Sequence, residues 1–343
     1  MRPWPRTIPA LAIILGASAL LAVGLGAVGI GPGTTIRLVA WKLGLAGRPE
    51  GVPPSTAVIL FELRLPRVIL AMLVGSALAV SGAVFQALFR NPMADPAIVG
   101  VSSGAALGAI VVIVLGGGAA LGGLGVSAGA FAGALVVAFL VYRLARIGPT
   151  VQVATLLLAG IAVAAVISAV ISLIMSFSGE QIRSIYFWLL GGLGARGWNA
   201  VAVAAPLVAI GVALASIFRR DLNLLVLGEE RAAQLGLDVE RFKRMAVATG
   251  ALLAAAAVSA AGVIGFVGLM TPHLLRLFLG ADHRRLIPAV ILGGAAFLVL
   301  ADLSARTVLS PEEIPVGAVT ALLGGPFFLF LLRREKRSAG ARA

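Results

Sequence analysis

The chain has few side chains that could catalyse a reaction or hold a metal ion. It contains no Cys and only two His residues, His273 and His283. This composition excludes disulfides, thiolate zinc sites and cysteine-ligated iron–sulfur clusters. The sequence shows neither a pair of carboxylates nor a nucleophile–base set that would indicate an enzyme. We therefore expect neither a metal site nor a bound cofactor in this chain.

Binding of ATP by a P-loop requires the pattern Gly-x-x-x-x-Gly-Lys-Ser/Thr. The lysines are Lys42, Lys243 and Lys336, and none of them follows a Gly. If ATP drives this protein, ATP and Mg²⁺ must bind to a separate polypeptide.

Two charged positions stand out because apolar residues surround them. Asp302 lies within an apolar segment, and Arg306 follows it by one helical turn. They form either a structural ion pair or part of a proton or substrate path. Arg183, near the end of another apolar segment, could contact an anionic substrate or pair with Glu180, three residues before it.

The most polar segment between apolar blocks is 221–241. Residues 229–235 have helical propensity, Gly236 fits a C-terminal cap, and Asp238 can cap the helix that follows. Such a segment forms a rigid knob suited to docking a partner protein, or else an ordinary solvated loop.

Composition indicates how these residues are positioned. Hydrophobic residues make up 60% of the 343 residues, charged residues make up 12%, and mean hydropathy is +1.07. The apolar blocks are long enough to cross a bilayer, which takes about 20 residues each. The sequence predicts an all-α integral membrane protein, a single domain over 1–343 and a compact bundle of about ten transmembrane helices. The predicted spans are 8–30, 62–89, 96–116, 120–142, 152–176, 199–218, 243–261, 263–280, 286–306 and 314–332.

The net charge of +13 could suggest a nucleic-acid partner. Most of the Lys and Arg residues, however, fall at the termini and in alternate loops. The positive-inside rule then places both termini and the 221–241 loop in the cytoplasm. We expect membrane lipid as a partner and no nucleic acid.

Six sequence blocks extend over nearly the whole chain. They are Arg64-Leu-Pro-Arg67 leading to Gly75 and Gly82; Gln86 to Pro96 followed by Gly100 to Ala105; Phe187-Trp188-x-x-Gly191-Gly192; Gly228 to Leu237; Gly265 to His273; and Pro315 to Thr320. In this order the blocks resemble the permease subunits of iron-chelate and cobalamin ABC importers. One departure is Thr271, where the family usually has Val or Ile before Pro-His.

The resemblance implies a fold of the large (type II) ABC importer permease kind and several partners. These are a second copy of the permease, two cytoplasmic ATP-binding-cassette ATPases and a periplasmic or lipid-anchored substrate-binding protein. It also implies a location in the bacterial inner membrane. ATPase coupling is then expected at Gly228, Glu229, Glu230, Ala232, Leu235, Gly236 and Leu237.

Three outer arginines, Arg64, Arg67 and Arg306, match family positions that meet glutamates of the binding protein. Alternatively, they extend to lipid phosphates. Asn91-Pro92 breaks a helix, and Pro272 is expected to end a span in the same way. By resemblance, Asn91 and Met93 lie near the cytoplasmic gate, opposite Val153, Ala154 and Thr155. The family often has small hydroxyl residues at the latter stretch, so Val153 and Ala154 depart from its pattern.

The resemblance implies an iron chelate, either a ferric siderophore or haem, as the cargo, and cobalamin is the alternative. The sequence does not identify the pore-lining selectivity residues. Two other classes stay open: an ion-coupled secondary transporter, which the scarcity of charged residues within spans disfavours, and a membrane enzyme or structural protein.

Overall fold

The computed structural model describes residues 4–26, 28–148, 150–194 and 196–340, which are mostly helical. A π-helical turn (Ile59–Arg64) joins the helices Pro54–Val58 and Leu65–Leu88, and 3₁₀ turns occur at Pro96–Val99, Gly117–Ala119 and Gly179–Gln181. A two-stranded antiparallel hairpin, β1 (Arg146–Ile147) and β2 (Thr150–Val151), precedes the helix Val153–Phe177. The helices are α1 (Trp4–Gly24), α2 (Pro32–Lys42), α3 (Pro54–Val58), α4 (Leu65–Leu88), α5 (Val101–Val114), α6 (Ala120–Gly123), α7 (Gly125–Leu144), α8 (Val153–Phe177), α9 (Ile182–Leu189), α10 (Gly197–Ile217), α11 (Arg219–Val226), α12 (Glu229–Gln234), α13 (Val239–Ala261), α14 (Val267–Leu279), α15 (His283–Thr307) and α16 (Val316–Gly340).

Each predicted span corresponds to an apolar helix. Among the described residues, seven helical segments are long and apolar enough to cross a membrane, and α5, α14 and the apolar part of α16 are shorter. At about 1.5 Å per residue, α5 and α14 are each only about 20 Å long, less than the roughly 30 Å of a hydrocarbon core. Each follows a non-α-helical segment, Pro96–Val99 or 262–266. Non-helical backbone at membrane depth is tolerated where protein or a water-filled cavity surrounds it.

Helix α4 forms the centre of the bundle. It packs against α10, α13, α14 and α15, and most of its residues are buried. Close approach depends on paired glycines: a Cβ at Gly75 would overlap the backbone of Gly294, and one at Gly82 would overlap the backbone of Gly268. Small residues at such crossings allow dispersion contacts between backbones, and these contacts stabilise helix association in lipid.

Two ends of the bundle carry the candidate residues. Helices α4 and α15 run antiparallel, so the start of α4 and the end of α15 meet at one end, with Arg67 bonded to Asp302. We call this the arginine end. The opposite end, where α11 contacts the first residues of α15, is the knob end.

Two sequence expectations about helix ends are wrong. The first span was expected to extend to residue 30, but α1 ends at Gly24, where arginine side chains take over as donors to its last carbonyls. Pro272 was expected to end a span, but it lies inside α14. Proline there removes the N–H that the carbonyl four residues earlier, at Gly268, would accept. That carbonyl instead faces Gly82 of α4.

Candidate functional site

A compact knob, residues 219–237, projects between α10 and α13. It comprises α11, the Leu227-Gly228 link, α12 and the turn 235–237. The predicted helix and caps are confirmed. Gly236 has φ of +88°, the Leu237 N–H donates to the Ala232 carbonyl at 3.0 Å, and the Gly236 N–H donates to Ala233 at 2.9 Å. These two bonds form a Schellman motif. The Asp238 carboxylate then accepts the Arg241 N–H at 3.1 Å and starts α13.

The underside of the knob is fixed to the bundle. Leu222 and Leu225 of α11 are buried. Asn223 donates from Nδ2 to Asp282 Oδ1 at 2.7 Å, and its Oδ1 accepts the His283 N–H at 2.8 Å. Burial would raise the pKa of Asp282, but hydrogen bonds from Arg284 N–H and Asn223, with neighbouring arginine charges, outweigh it and lower that pKa. The knob therefore has little freedom to move without moving α15.

The upper surface of the knob is exposed and mixed in character. Leu227 and Leu235 are 52% and 60% exposed, and Glu230 is also exposed. The upper surface therefore offers both apolar and charged groups to a partner protein. Glu229 differs from Glu230, because its Oε2 lies 2.9 Å from Lys243 Nζ at the start of α13.

The residues expected at the gate lie in two segments near the knob end. The Asn91 side chain accepts the Met93 N–H at 2.9 Å and closes the turn after α4. Val153, Ala154 and Thr155 begin α8. The two segments approach each other farther along, where a Cβ at Gly160 of α8 would overlap the Ile98 carbonyl. A gate role for these residues stays a prediction.

The arginine end holds a buried charge cluster. Asp302 is 1% exposed, and Arg67 forks onto it, with Nη2 at 2.9 Å and Nε at 3.0 Å from Oδ1. Arg67 Nη1 also bonds to Glu313 at 2.8 Å. Arg306 Nε lies 3.5 Å from Asp302 Oδ2. The structural ion pair expected of Asp302 is confirmed, but its principal partner is Arg67 of α4 rather than Arg306 of its own helix.

Two of the three arginines expected at the outer face bind the end of α1. Arg64 donates to the carbonyls of Val23 and Gly24 at 2.9 Å each, and Arg306 donates to those of Ala22 and Leu25. Both side chains are buried. The last carbonyls of a helix have no partner within the helix and attract positive charge. Arg64 and Arg306 are therefore engaged within the chain, and docking of an external protein at these positions stays a prediction.

A cavity of about 630 Å³ opens beside this cluster. Arg67, Arg196 and Glu313 line it and also line a neighbouring depression. Burial lowers the pKa of Arg196. Arg196 and Glu313 were not predicted as site residues, because nothing near them in sequence marks them; their positions follow only from how the loops fold over α4.

Arg183 lies on α9, a short helix that was not predicted. Its guanidinium stacks 5.8 Å from the centre of the Phe187 ring. The ion pairs of the described residues do not include one between Arg183 and Glu180, so that alternative is not observed. No group of three or more His, Cys, Asp or Glu residues within the described part of the chain could hold a metal ion.

Known proteins with similar sequences and structures identify the family of this chain. The model of the FecCD transport family matches residues 13–334. The chain is 48% identical over 289 residues to the cobalamin import system permease of Halobacterium salinarum, covering 84% of this chain and 77% of the relative. It is 46% identical over 296 residues to the hemin transport system permease of Yersinia pestis, covering 82% and 85%. A solved structure of a metal-chelate type ABC transporter, in an inward-facing conformation, superposes with a TM-score of 0.82 at 31% identity, covering 96% of this chain and 99% of the other.

Proposed function

Because this chain belongs to the FecCD transport family, the permease part of ABC importers, we propose that two copies of it form the translocation pathway for a metal chelate of the tetrapyrrole class. Haem is the first candidate and cobalamin is the second. Relatives of similar identity are named for hemin and for cobalamin, and both haem and cobalamin hold a metal ion in a ring of four linked pyrrole-type units. A ferric siderophore is the remaining member of the cargo class that the sequence indicates.

The structure of the knob supports the proposal that an external ATPase drives this permease. A partner that pushes on it contacts an exposed surface, whereas its underside is bonded to α15 through Asn223 and to α13 through Glu229. Force applied at the knob therefore reaches two of the helices that enclose α4. A rigid element with a free surface and fixed roots is what an external motor needs in order to shift a bundle between two states.

The exposed apolar surface of α8 supports pairing of this chain with a second copy. This helix is strongly apolar, yet most of it is exposed in the single chain, including Leu158, Ile161, Val166, Leu173 and Phe177. Lipid or another permease must cover such a face. Helix α8 also begins at the residues expected at the gate, which favours a position next to the pathway between two copies.

Without a P-loop, this chain needs two ATPase subunits that bind ATP and Mg²⁺ and contact the knob. A substrate-binding protein delivers cargo to the arginine end. In this proposal the knob and both termini lie in the cytoplasm, and the protein lies in the inner membrane.

Uptake by the assembled importer tests the proposal. The permease, its ATPase and its binding protein are reconstituted in liposomes, and ATP-dependent uptake of haemin, cyanocobalamin and a ferric catecholate siderophore is measured. We expect uptake of one tetrapyrrole, and none when the ATPase carries a P-loop lysine substitution. Siderophore uptake alone would refute the cargo assignment. Uptake that needs no ATPase and collapses with a protonophore would identify a secondary transporter instead.

A further inference from the structure

A single buried ammonium group links the knob to the start of α8. Lys243, near the start of α13, is only 2% exposed. Its Nζ lies 2.9 Å from Glu229 Oε2, 2.5 Å from Glu240 Oε1 and 2.7 Å from the Val151 carbonyl oxygen. An ammonium group has three N–H donors, and here each one has an acceptor.

The three acceptors belong to three different parts of the chain. Glu229 is the first residue of α12 in the knob, Glu240 lies in the first turn of α13, and Val151 ends the β-hairpin two residues before α8 begins. Val151 is held on both sides, because its N–H also donates to Glu240 Oε2 at 3.0 Å. It is itself 3% exposed. Only Gln152 separates this doubly held residue from the first residue of α8.

A buried cation makes this link stiff. Removing one acceptor from a desolvated charge leaves that charge under-compensated, which costs more than losing a bond between exposed groups. The knob therefore has two ways to move. It can carry the ammonium and Val151 with it, or it can break the Glu229 bond while Lys243 stays on Glu240 and Val151. The first keeps all bonds intact and is favoured for small movements.

We propose that Lys243 is the positioning residue that transmits movement of the ATPase-docking knob to the start of α8. This inference rests on the proposed function. In it, Glu229 senses displacement of the knob, Lys243 carries that displacement, and the clamped Val151 backbone turns it into a shift of Val153, Ala154 and Thr155. The residues expected at the gate thereby respond to the motor although they do not touch it.

The absence of cysteine makes a direct test straightforward. Gln152 and Gln234 are both exposed, one beside Val151 and one at the end of α12. With both replaced by Cys and spin-labelled in the assembled importer, we expect the distance between them to stay within the width of its distribution between the nucleotide-free and ATP–vanadate states. Over the same change, the distance from either label to one at Leu309, exposed near the arginine end, should shift.

The Lys243→Met variant should uncouple the importer. ATP hydrolysis continues, uptake of the transported probe per ATP falls about tenfold or more, within the 5–150-fold range of typical coupling energies, and the 152–234 distance becomes dependent on nucleotide. Lys243→Arg, which keeps a charged donor, should recover part of the ratio. A fold defect alone lowers the amount of assembled importer, so that ATP hydrolysis and uptake fall together and the uptake per ATP hydrolysed stays the same.

Glu229→Gln is a milder second variant in case Lys243→Met fails to fold, because Lys243 then keeps its bonds to Glu240 and Val151. It should lower the uptake-to-ATP ratio, whereas Glu50→Gln, on an exposed glutamate before α3 and outside the knob, should leave it unchanged. A wild-type importer that transports while Lys243→Met and Glu229→Gln keep the wild-type ratio overturns the inference. So does a wild-type 152–234 distance that shifts as much as the distances to Leu309. Failure of the wild-type complex to import with ATP instead refutes the proposed function.

Discussion

Asp302→Asn should destabilise the protein without abolishing its function. Asp302 is 1% exposed and accepts two hydrogen bonds from Arg67, whose guanidinium is itself mostly buried, and Arg306 lies beside it. Asparagine has nearly the same volume, so packing is kept. Among the described residues, Asp302 is the one carboxylate that forms ion pairs with both guanidiniums. The substitution removes it and turns one end of the side chain into a donor that faces two donors.

The size of the effect follows from burial. Breaking a buried ion pair by removing one partner costs about 3–5 kcal/mol. An unfolding entropy of about 2.1 cal/mol/K per residue gives about 0.7 kcal/mol/K for a chain of 343 residues, so the melting temperature should fall by roughly 4–7 °C. Glu313→Gln is the matched control, because Glu313 bonds to the same arginine but is 50% exposed. A pair of that exposure contributes only about 0–1 kcal/mol.

Thermal unfolding in detergent, followed by tryptophan fluorescence, measures both variants against wild type. Uptake is assayed well below the lowered melting temperature. We expect uptake to continue in Asp302→Asn, because the structure assigns the carboxylate to an ion pair. A melting temperature equal to that of Glu313→Gln would refute the buried-pair reasoning. Loss of uptake with full stability would instead restore the proton or substrate path as its role.

Three further outcomes follow from the packing. Gly82→Ala places a methyl group against the Gly268 backbone, so overpacking should lower the free energy of unfolding by about 1–3 kcal/mol, as measured by thermal unfolding. Gly29→Ala is the control and should be neutral, because no atom lies within 4 Å of the added methyl group. Equal effects of the two variants would contradict the close approach. Arg64→Met removes the donors at the end of α1, so hydrogen exchange of residues 20–26 should speed up, and unchanged exchange would count against the cap. Gly236→Pro is incompatible with φ of +88° and removes the Schellman bond, so ATPase co-purification should be lost while membrane insertion is kept; wild-type co-purification would reject this role of the turn.

Local features of the fold could be read from the sequence, because their causes lie within a few residues. Gly236 and Asp238 correctly predicted the C-terminal cap of α12 and the N-terminal cap of α13, since a left-handed residue and an N-cap carboxylate act on immediate neighbours. Span positions followed from block length and hydropathy. Pro272 misled because a proline can lie inside a helix when the freed carbonyl finds another environment, here beside Gly82 across the bundle.

Long-range pairings could not be predicted in this way. Arg67 and Asp302 are 235 residues apart, and Lys243 and Val151 are 92 apart. A lysine near the start of a long apolar helix was the one available signal for Lys243, and it equally suits a side chain that extends to water. The antiparallel packing of α4 with α15 and the packing of the hairpin against α13 determine which partner each charged group binds.

The geometry of the arginine end limits what an external partner could gain there. Arg64 and Arg306 already donate to α1 carbonyls, and Arg67 already holds Asp302 and Glu313. A carboxylate from a binding protein that pairs with Arg67 must therefore replace Glu313, and such an exchange leaves the number of ion pairs unchanged. Its net contribution to affinity is then small, because one half-exposed pair is traded for another. Charge exchanged at Arg67 therefore chiefly sets the rate and orientation of encounter.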